Sequence, residues 1–331
     1  MATATASAQP LSQGQLWFRA LRAPFLVASV IPVILGGVLA WVHGSGVLAW
    51  GPLPVLPQPG YFFRVDLFLL TLVGAVFVHL ATNMLNDNFD YRSGNDLAVK
   101  HQNPFAGGGR VLTTGRLSVN AHLGVALAIL GLGSLIGLYL VTQTSLTLLW
   151  IGLVGVFTAF FYVAPPIRLA HRGVGELFVG LSFGPLVVMG TYFVQTTRLD
   201  WGPLFLSIAI GSLVAAILWI NEFPDVEADT SVGKRTLMSR LGYERSTYVY
   251  LELLMTAYAL VLLAVVLRTV PWTVLLTFAT VPLARKAFLG LRANARDPMA
   301  LIPANAGTVG LTVTFGILAI VGVVAGAILG I

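Results

Sequence analysis

The sequence predicts an all-α polytopic membrane protein, with nine transmembrane helices around a central cavity and a cytoplasmic cap. Three observations carry this prediction. Of 331 residues, 57% are apolar and only 10% charged, against about a quarter charged in a soluble domain. Nine segments spread along the whole chain approach the roughly 20 apolar residues that a helix needs to cross a bilayer core. The basic residues alternate between successive connections, as the positive-inside bias demands.

The first fifteen residues (1–15, MATATASAQPLSQGQ) are small and polar, with no basic residue and no hydrophobic stretch. They lack the pattern of a cleavable signal peptide and are expected to be a disordered tail. One transmembrane domain, 16–331, is expected to follow. Its spans read as 24–42, 67–84, 123–141, 146–163, 174–194, 204–220, 248–267, 272–289 and 306–329.

The charges test that count. Arg19 and Arg22 precede the first span. Arg92, Lys100, Arg110 and Arg116 lie between spans two and three, and Arg168 and Arg172 follow span four. Lys234, Arg235, Arg240 and Arg245 follow span six, and Arg285, Lys286, Arg292 and Arg296 lie at or beyond the end of span eight. With nine spans, 16 of the 19 Lys and Arg fall on one side, and only Arg64, Arg198 and Arg268 on the other. The positive-inside rule then places the N-terminus and the even-to-odd connections in the cytoplasm. The simplest location is a cell plasma membrane, spanned many times. Trp17, Trp41, Trp50, Trp201 and Trp272 sit near span ends, where interfacial aromatic belts account for them. The connections after spans two and six are roughly 35 and 25 residues long, well beyond the usual handful. They are long and acid-rich enough to cap a cavity.

Composition also excludes. The net charge of +6 is absorbed by topology, so no nucleic-acid partner is expected. With no Cys there is no disulfide framework and no thiolate metal site. The His residues are scattered, which argues against Zn or Cu.

Seven of the 13 acids fall in two short stretches. Asp87, Asp90 and Asp96 end the second span; Glu222, Asp225, Glu227 and Asp229 end the sixth. Acids at membrane depth are costly and usually functional. On a helix of 3.6 residues per turn, His79, Asn83, Asn86 and Asp90 share a stripe, with Asp87 at its edge. Asn221, Asp225 and Asp229 share a face if the sixth span stays helical that far. Each motif is thus an Asn followed four residues later by Asp, and two such faces opposed make an anionic, oxygen-rich pocket. Carboxylates and amide oxygens suit Mg²⁺, which completes its shell with water and substrate phosphates. A diphosphate also needs cations, and Lys234, Arg235, Lys100, Arg110 and Arg22 flank the motifs. Arg binds phosphate bidentately and Lys as a point charge. A bland reading stands beside this one: acids near helix ends are often solvated or capping. Two matching motifs on one side, each followed by basic residues, weigh against it. Glu222 and Glu227 read as peripheral. His79 reads first as a packed polar residue and second as a substrate contact.

These motifs resemble the UbiA superfamily of intramembrane aromatic prenyltransferases. The resemblance runs from Trp17 to the C-terminus and is carried by NDNFDYRSGND (86–96) and NEFPDVEADTSVGKRTL (221–237). Weaker matches are Arg22-Ala-Pro24, the Arg-x-Leu-x-x-Gly-x-x-Ser pattern at 110–118, and Tyr162-x-x-Pro-Pro-x-Arg-Leu. The spacing from Asp90 to Asp96 resembles the dihydroxynaphthoate polyprenyltransferases of menaquinone synthesis; in the hydroxybenzoate branch the second acid comes sooner. The Gly-rich stretch NPFAGGG (103–109) departs from the pattern and leaves the acceptor open.

The resemblance implies nine helices and an Mg²⁺-bound diphosphate between the motifs. It implies that Asn86, Asp87, Asp90, Asp96, Asn221, Asp225 and Asp229 supply metal ligands, with Asp90, Asp96, Asp225 and Asp229 catalytic. Arg22, Lys100, Arg110, Lys234 and Arg235 would hold the diphosphate. His79 and Tyr162 would face the acceptor or the prenyl chain, and Tyr162, Phe89 or Phe223 would shield an allylic cation. The expected partners are a polyprenyl diphosphate, an aromatic acceptor and the lipid bilayer. The proton-accepting base stays open between pyrophosphate and Asp96. Alternatives are a different acceptor within the superfamily (hydroxybenzoate, homogentisate, a tetrapyrrole or a glycerol lipid) and, outside it, a cation-coupled transporter. No inverted repeat of the transporter kind is visible.

Overall fold

The computed structural model describes residues 12–44, 60–100, 103–105 and 111–330, and every regular element among them is a helix. The helices are α1 (Gln13–Ala20), α2 (Val27–Gly44), α3 (Val65–Ser93), α4 (Val119–Gln143), α5 (Leu146–Phe161), α6 (Gly175–Thr196), α7 (Trp201–Asn221), α8 (Val226–Ser231), α9 (Leu237–Val266), α10 (Trp272–Asn294) and α11 (Ile302–Leu329). Eight stretches among the described residues are long and apolar enough to cross a membrane, where nine were expected. The shortfall is α5. Its 16 residues rise about 24 Å at 1.5 Å each, short of the roughly 30 Å hydrocarbon core. The cause lies just beyond it, where Pro165 and Pro166 cannot continue a helix.

The expected tail also begins to fold earlier than residue 16. Ser12 accepts from the Gln15 amide, and the Gln15 side chain accepts from the Ser12 amide. This reciprocal cap starts α1, and the Ser-x-x-Gln signal was present in the sequence. Residues 1–11 lie outside the described residues.

α7 is the hub. Leu206, Ile210, Leu213, Trp219 and Ile220 are buried in a core shared with α2, α9 and α11. The Trp219 indole, buried with the rest, donates to the Ser246 carbonyl at 2.8 Å. Glycines let backbones meet: a methyl on Gly211 would collide with the Gly180 carbonyl, and one on Gly184 with that of Ser207. α6 passes this contact through a π-turn, Ser182–Leu186, around Pro185. Such a turn re-pairs the carbonyls that proline strands.

The two ends of the bundle differ in charge. At one end the Arg64 amide donates to Gln195 at 2.9 Å, Arg198 pairs with Asp200 at 3.5 Å, and Tyr192 donates to Asp200. Arg64 and Arg198 thus share the end expected for them. Arg22, Asp90 and Lys234 gather at the other. The described residues that directly follow α3 and α7 touch at that second end: the Asn95 amide donates to Asp229 Oδ1 at 2.8 Å.

Candidate active site

A cavity of about 620 Å³ opens beside this contact. Its polar end is lined by Arg22, Asn86, Asp90, Asn95, Asp96, Asn221, Glu222, Asp225, Asp229 and Lys234. Away from them it becomes an apolar groove between α3, α4, α5 and α6, reaching Leu140, Leu148 and Val194 near the opposite end. Gly137, Gly152 and Gly155 border it, and a methyl on any of the three would meet no atom within 4 Å. These glycines leave room. Gly180, by contrast, allows close helix approach.

α3 supplies its stripe as its periodicity requires: His79, Asn83, Asn86 and Asp90 all line the cavity. The condition for a shared face on α7, a helix that runs on to Asp229, is not met. α7 ends at Asn221, and the chain turns through Glu222–Asp225 before α8. Pro224 causes the break, since it lacks an amide hydrogen and disfavours helix at Phe223. Asn221, Asp225 and Asp229 still face one cavity, but a turn brings them there rather than a straight helix.

The two motifs meet at Lys234. Its Nζ lies 3.6 Å from Asp90 and 3.3 Å from Asp229. Burial opposes the lysine charge, but Asp90 and Asp229 outweigh it and raise the pKa well above the ordinary value, so the ammonium persists. Arg22 stands 3.7 Å from Asp87. It occupies the left-handed backbone region, with φ of 52°, which costs a non-glycine residue on the order of 1–2 kcal/mol. This bend turns the chain from α1 into α2.

Several expected site residues are placed elsewhere. Asp87 is buried beside Arg22 and does not line the cavity. Lys100 is exposed and 3.8 Å from exposed Glu227; Arg235 is exposed as well. Neither lines the cavity, whereas Asn95, Asp96, Asp229 and Lys234 of the same connections do. Arg110 lies outside the described residues, as does Trp50. Phe89 and Phe223 do not reach the cavity; Phe223 is buried against Tyr243, ring centres 6.0 Å apart. Tyr162, Phe105 and Phe183 are the aromatic residues that line it. Phe183 packs edge-on against His79 at 4.7 Å, and His79 Nδ1 lies 2.5 Å from the Ser29 hydroxyl. His79 is therefore both a bonded polar residue and part of the wall.

Glu222, read as peripheral, is buried and lines the cavity. Burial, and then the neighbouring Glu176 carboxyl, raise its pKa well above the carboxylate range. Its position beside the Pro224 turn was the signal. Asn95 was also missed, although it adjoins Asp96.

The donor set fits Mg²⁺. The Asn86 and Asp90 Oδ1 atoms are buried without a hydrogen-bond partner, and they line the cavity along with Asp96, Asn221, Asp225 and Asp229. Among the described residues no three His, Cys, Asp or Glu side chains form a ready-made cage. Lys234 sits between Asp90 and Asp229 and offsets part of their charge. That suits an ion that takes few protein ligands and completes its shell with substrate phosphates, rather than a resident structural metal.

Fold and site together define a polytopic membrane protein whose buried, metal-compatible polar chamber opens onto a lipid-like groove. The chain belongs to the UbiA prenyltransferase family, which residues 29–306 match. It is 30% identical over 317 residues to the 1,4-dihydroxy-2-naphthoate octaprenyltransferase of Bacillus subtilis, covering 95% of this chain and 94% of the relative. It is 31% identical to the enzyme of the same name from Mycobacterium tuberculosis, covering 93% and 96%. Among solved structures it resembles a UbiA homolog from Archaeoglobus fulgidus bound to GPP and Mg²⁺, with a TM-score of 0.57 and 17% identity over 92% of this chain and 99% of that one. That last likeness shows a shared fold.

Proposed function

We propose that this protein transfers a polyprenyl chain from its diphosphate to 1,4-dihydroxy-2-naphthoate in menaquinone synthesis, with Mg²⁺ as cofactor. The membrane is the plasma membrane, with the N-terminus and the cap in the cytoplasm. The observation that carries the reading is the Lys234 bridge, which joins the two Asp-rich motifs at the mouth of an apolar groove. The names of the bacterial relatives support the acceptor, and the basic residues crowded at the capped end support the orientation.

Mg²⁺ would draw its few protein ligands from Asn86, Asp90, Asp96, Asn221, Asp225 and Asp229, which line one chamber, and would complete its shell with the substrate's phosphate oxygens. When bound, the ion would supply Lewis-acid stabilisation of charge on the leaving diphosphate. Lys234 and Arg22 add fixed positive charge aimed at the same oxygens. The prenyl C1–O bond breaks and pyrophosphate leaves with the electron pair. Tyr162 and Phe183 present rings to the allylic cation, and the apolar walls keep water from quenching it. The naphthoate ring carbon bonds to C1, and its carboxyl group departs as CO₂ with loss of the acid proton. The tail lies along the groove past Gly137, Gly152 and Gly155.

The test is purified protein in lipid nanodiscs with a polyprenyl diphosphate and a panel of aromatic acids, read by mass spectrometry. Mg²⁺-dependent prenylated naphthol is the expected product. Prenylation of hydroxybenzoate or homogentisate alone would move the acceptor. Cation flux without any prenylation would replace the reading with a transporter.

A further inference from the structure

Asn305 opens α11, is fully buried, and does not line the cavity. Its Nδ2 donates to Asn221 Oδ1 at 2.8 Å and to the Ile220 carbonyl at 3.3 Å. Its Oδ1 accepts from Asn103 Nδ2 at 3.4 Å. Asn103 in turn donates to the Pro298 carbonyl and accepts from the Phe105 amide, both at 2.9 Å. Three side-chain amides thus run in series from the cap connection to the cavity wall.

The direction of this series is forced. The Phe105 backbone amide can only donate, so Asn103 must turn its oxygen to it. The Asn103 nitrogen then meets the Pro298 carbonyl, which can only accept, and also the Asn305 oxygen. The Asn305 nitrogen is left facing the Ile220 carbonyl, again only an acceptor, and Asn221 Oδ1. Flipping any one amide sets oxygen against oxygen or donor against donor. An amide oxygen has two lone pairs, so Asn221 Oδ1 keeps one for a cation after accepting from Asn305.

We infer that Asn305 is a positioning residue, which fixes the rotamer and amide orientation of Asn221 so that its oxygen serves as a cation ligand. The inference rests on the proposal that Asn221 helps hold the divalent ion. Partners of this kind, behind a metal ligand, set affinity for the metal without touching substrate. Asn305 does so from α11, far along the chain from both Asp-rich motifs.

The test is Mn²⁺ binding in the presence of inorganic pyrophosphate, read by electron paramagnetic resonance on purified wild type, N305A, N221A and the double variant. Mg²⁺ half-activation and the acceptor KM are measured on the same preparations. N305A is expected to weaken Mn²⁺ about tenfold, to raise the Mg²⁺ requirement in parallel, and to leave the acceptor KM near wild type. The double variant should bind no worse than N221A, because both changes remove one ligand. N305L, which keeps the volume, carries the same comparison should N305A not fold. Wild-type Mn²⁺ affinity in folded N305A or N305L, beside a weakened N221A, overturns the positioning role alone. Additive losses in the double variant do the same. An unweakened N221A overturns the ligand assignment beneath it.

Discussion

Lys234→Met removes a charge that joins the two motifs. Its ammonium lies 3.6 Å from Asp90 and 3.3 Å from Asp229. At an effective dielectric near 20, each contact is a gross attraction of about 5 kcal/mol. Desolvation of the ammonium, several kcal/mol, offsets part of that. The variant, however, keeps Asp90 and Asp229 buried and facing each other without a cation. Breaking a buried pair in this way costs about 3–5 kcal/mol, so the thermal midpoint should fall by several degrees. Intrinsic fluorescence of the seven Trp residues in nanodiscs reports it. Two uncompensated carboxylates also attract a divalent ion, so added Mg²⁺ should raise the midpoint more in Lys234→Met than in wild type. Loss of a fixed charge aimed at the leaving oxygens should lower turnover about 10²–10³-fold. A variant with the wild-type midpoint, no extra response to Mg²⁺ and normal turnover would refute the bridge and its catalytic use together.

Asp90→Ala and Asp225→Ala should each abolish Mg²⁺-dependent prenyl transfer while the protein still folds; near-normal turnover of either purified variant removes that residue from the site. Gly211→Ala should destabilise the α6–α7 contact by roughly 1–3 kcal/mol through overpacking, seen as a lower thermal midpoint, since the added methyl meets the Gly180 carbonyl. Gly155→Leu should spare short prenyl diphosphates and raise the KM for long ones, because its side chain enters open groove. His171 gives a pH dependence. Burial, and then Lys234 and Arg168, lower its pKa from 6.5 to about 4, so between these values the unfolded chain binds more protons than the folded one. Its contribution to stability is present above about 6.5 and is lost as pH falls through about 4. Thermal midpoints from pH 7 to 4 should therefore decline less in His171→Gln than in wild type.

Much of the fold was readable because a bilayer imposes simple rules. Apolar length marks spans, and basic residues mark one side. Those rules fail where a local residue overrides them, as Pro165 and Pro166 do in cutting α5 short. The stripe on α3 was legible because nothing interrupts the helix between His79 and Asp90. The matching face after α7 depended on the helix persisting to Asp229, and Pro224, in plain view, ends it at Asn221 and replaces it with a turn. The turn also buries Glu222 against the cavity, where it had read as peripheral. Sign of charge alone did not place side chains: Lys100 and Arg235 are exposed, and Asp87 is paired with Arg22. Asn305 could not have been found by motif, because its meaning depends on two other amides more than eighty residues away in the chain.

The most direct measurement is a structure with Mg²⁺ and a non-reacting prenyl thiolodiphosphate bound. The expected result is a diphosphate beside Lys234 and a metal about 2.1 Å from oxygen atoms of both the Asn86–Asp90 and the Asn221–Asp229 stretches, with the tail in the groove past Gly152. A diphosphate held by one stretch alone, or bound away from Lys234, would contradict the shared grip on which the proposed chemistry depends.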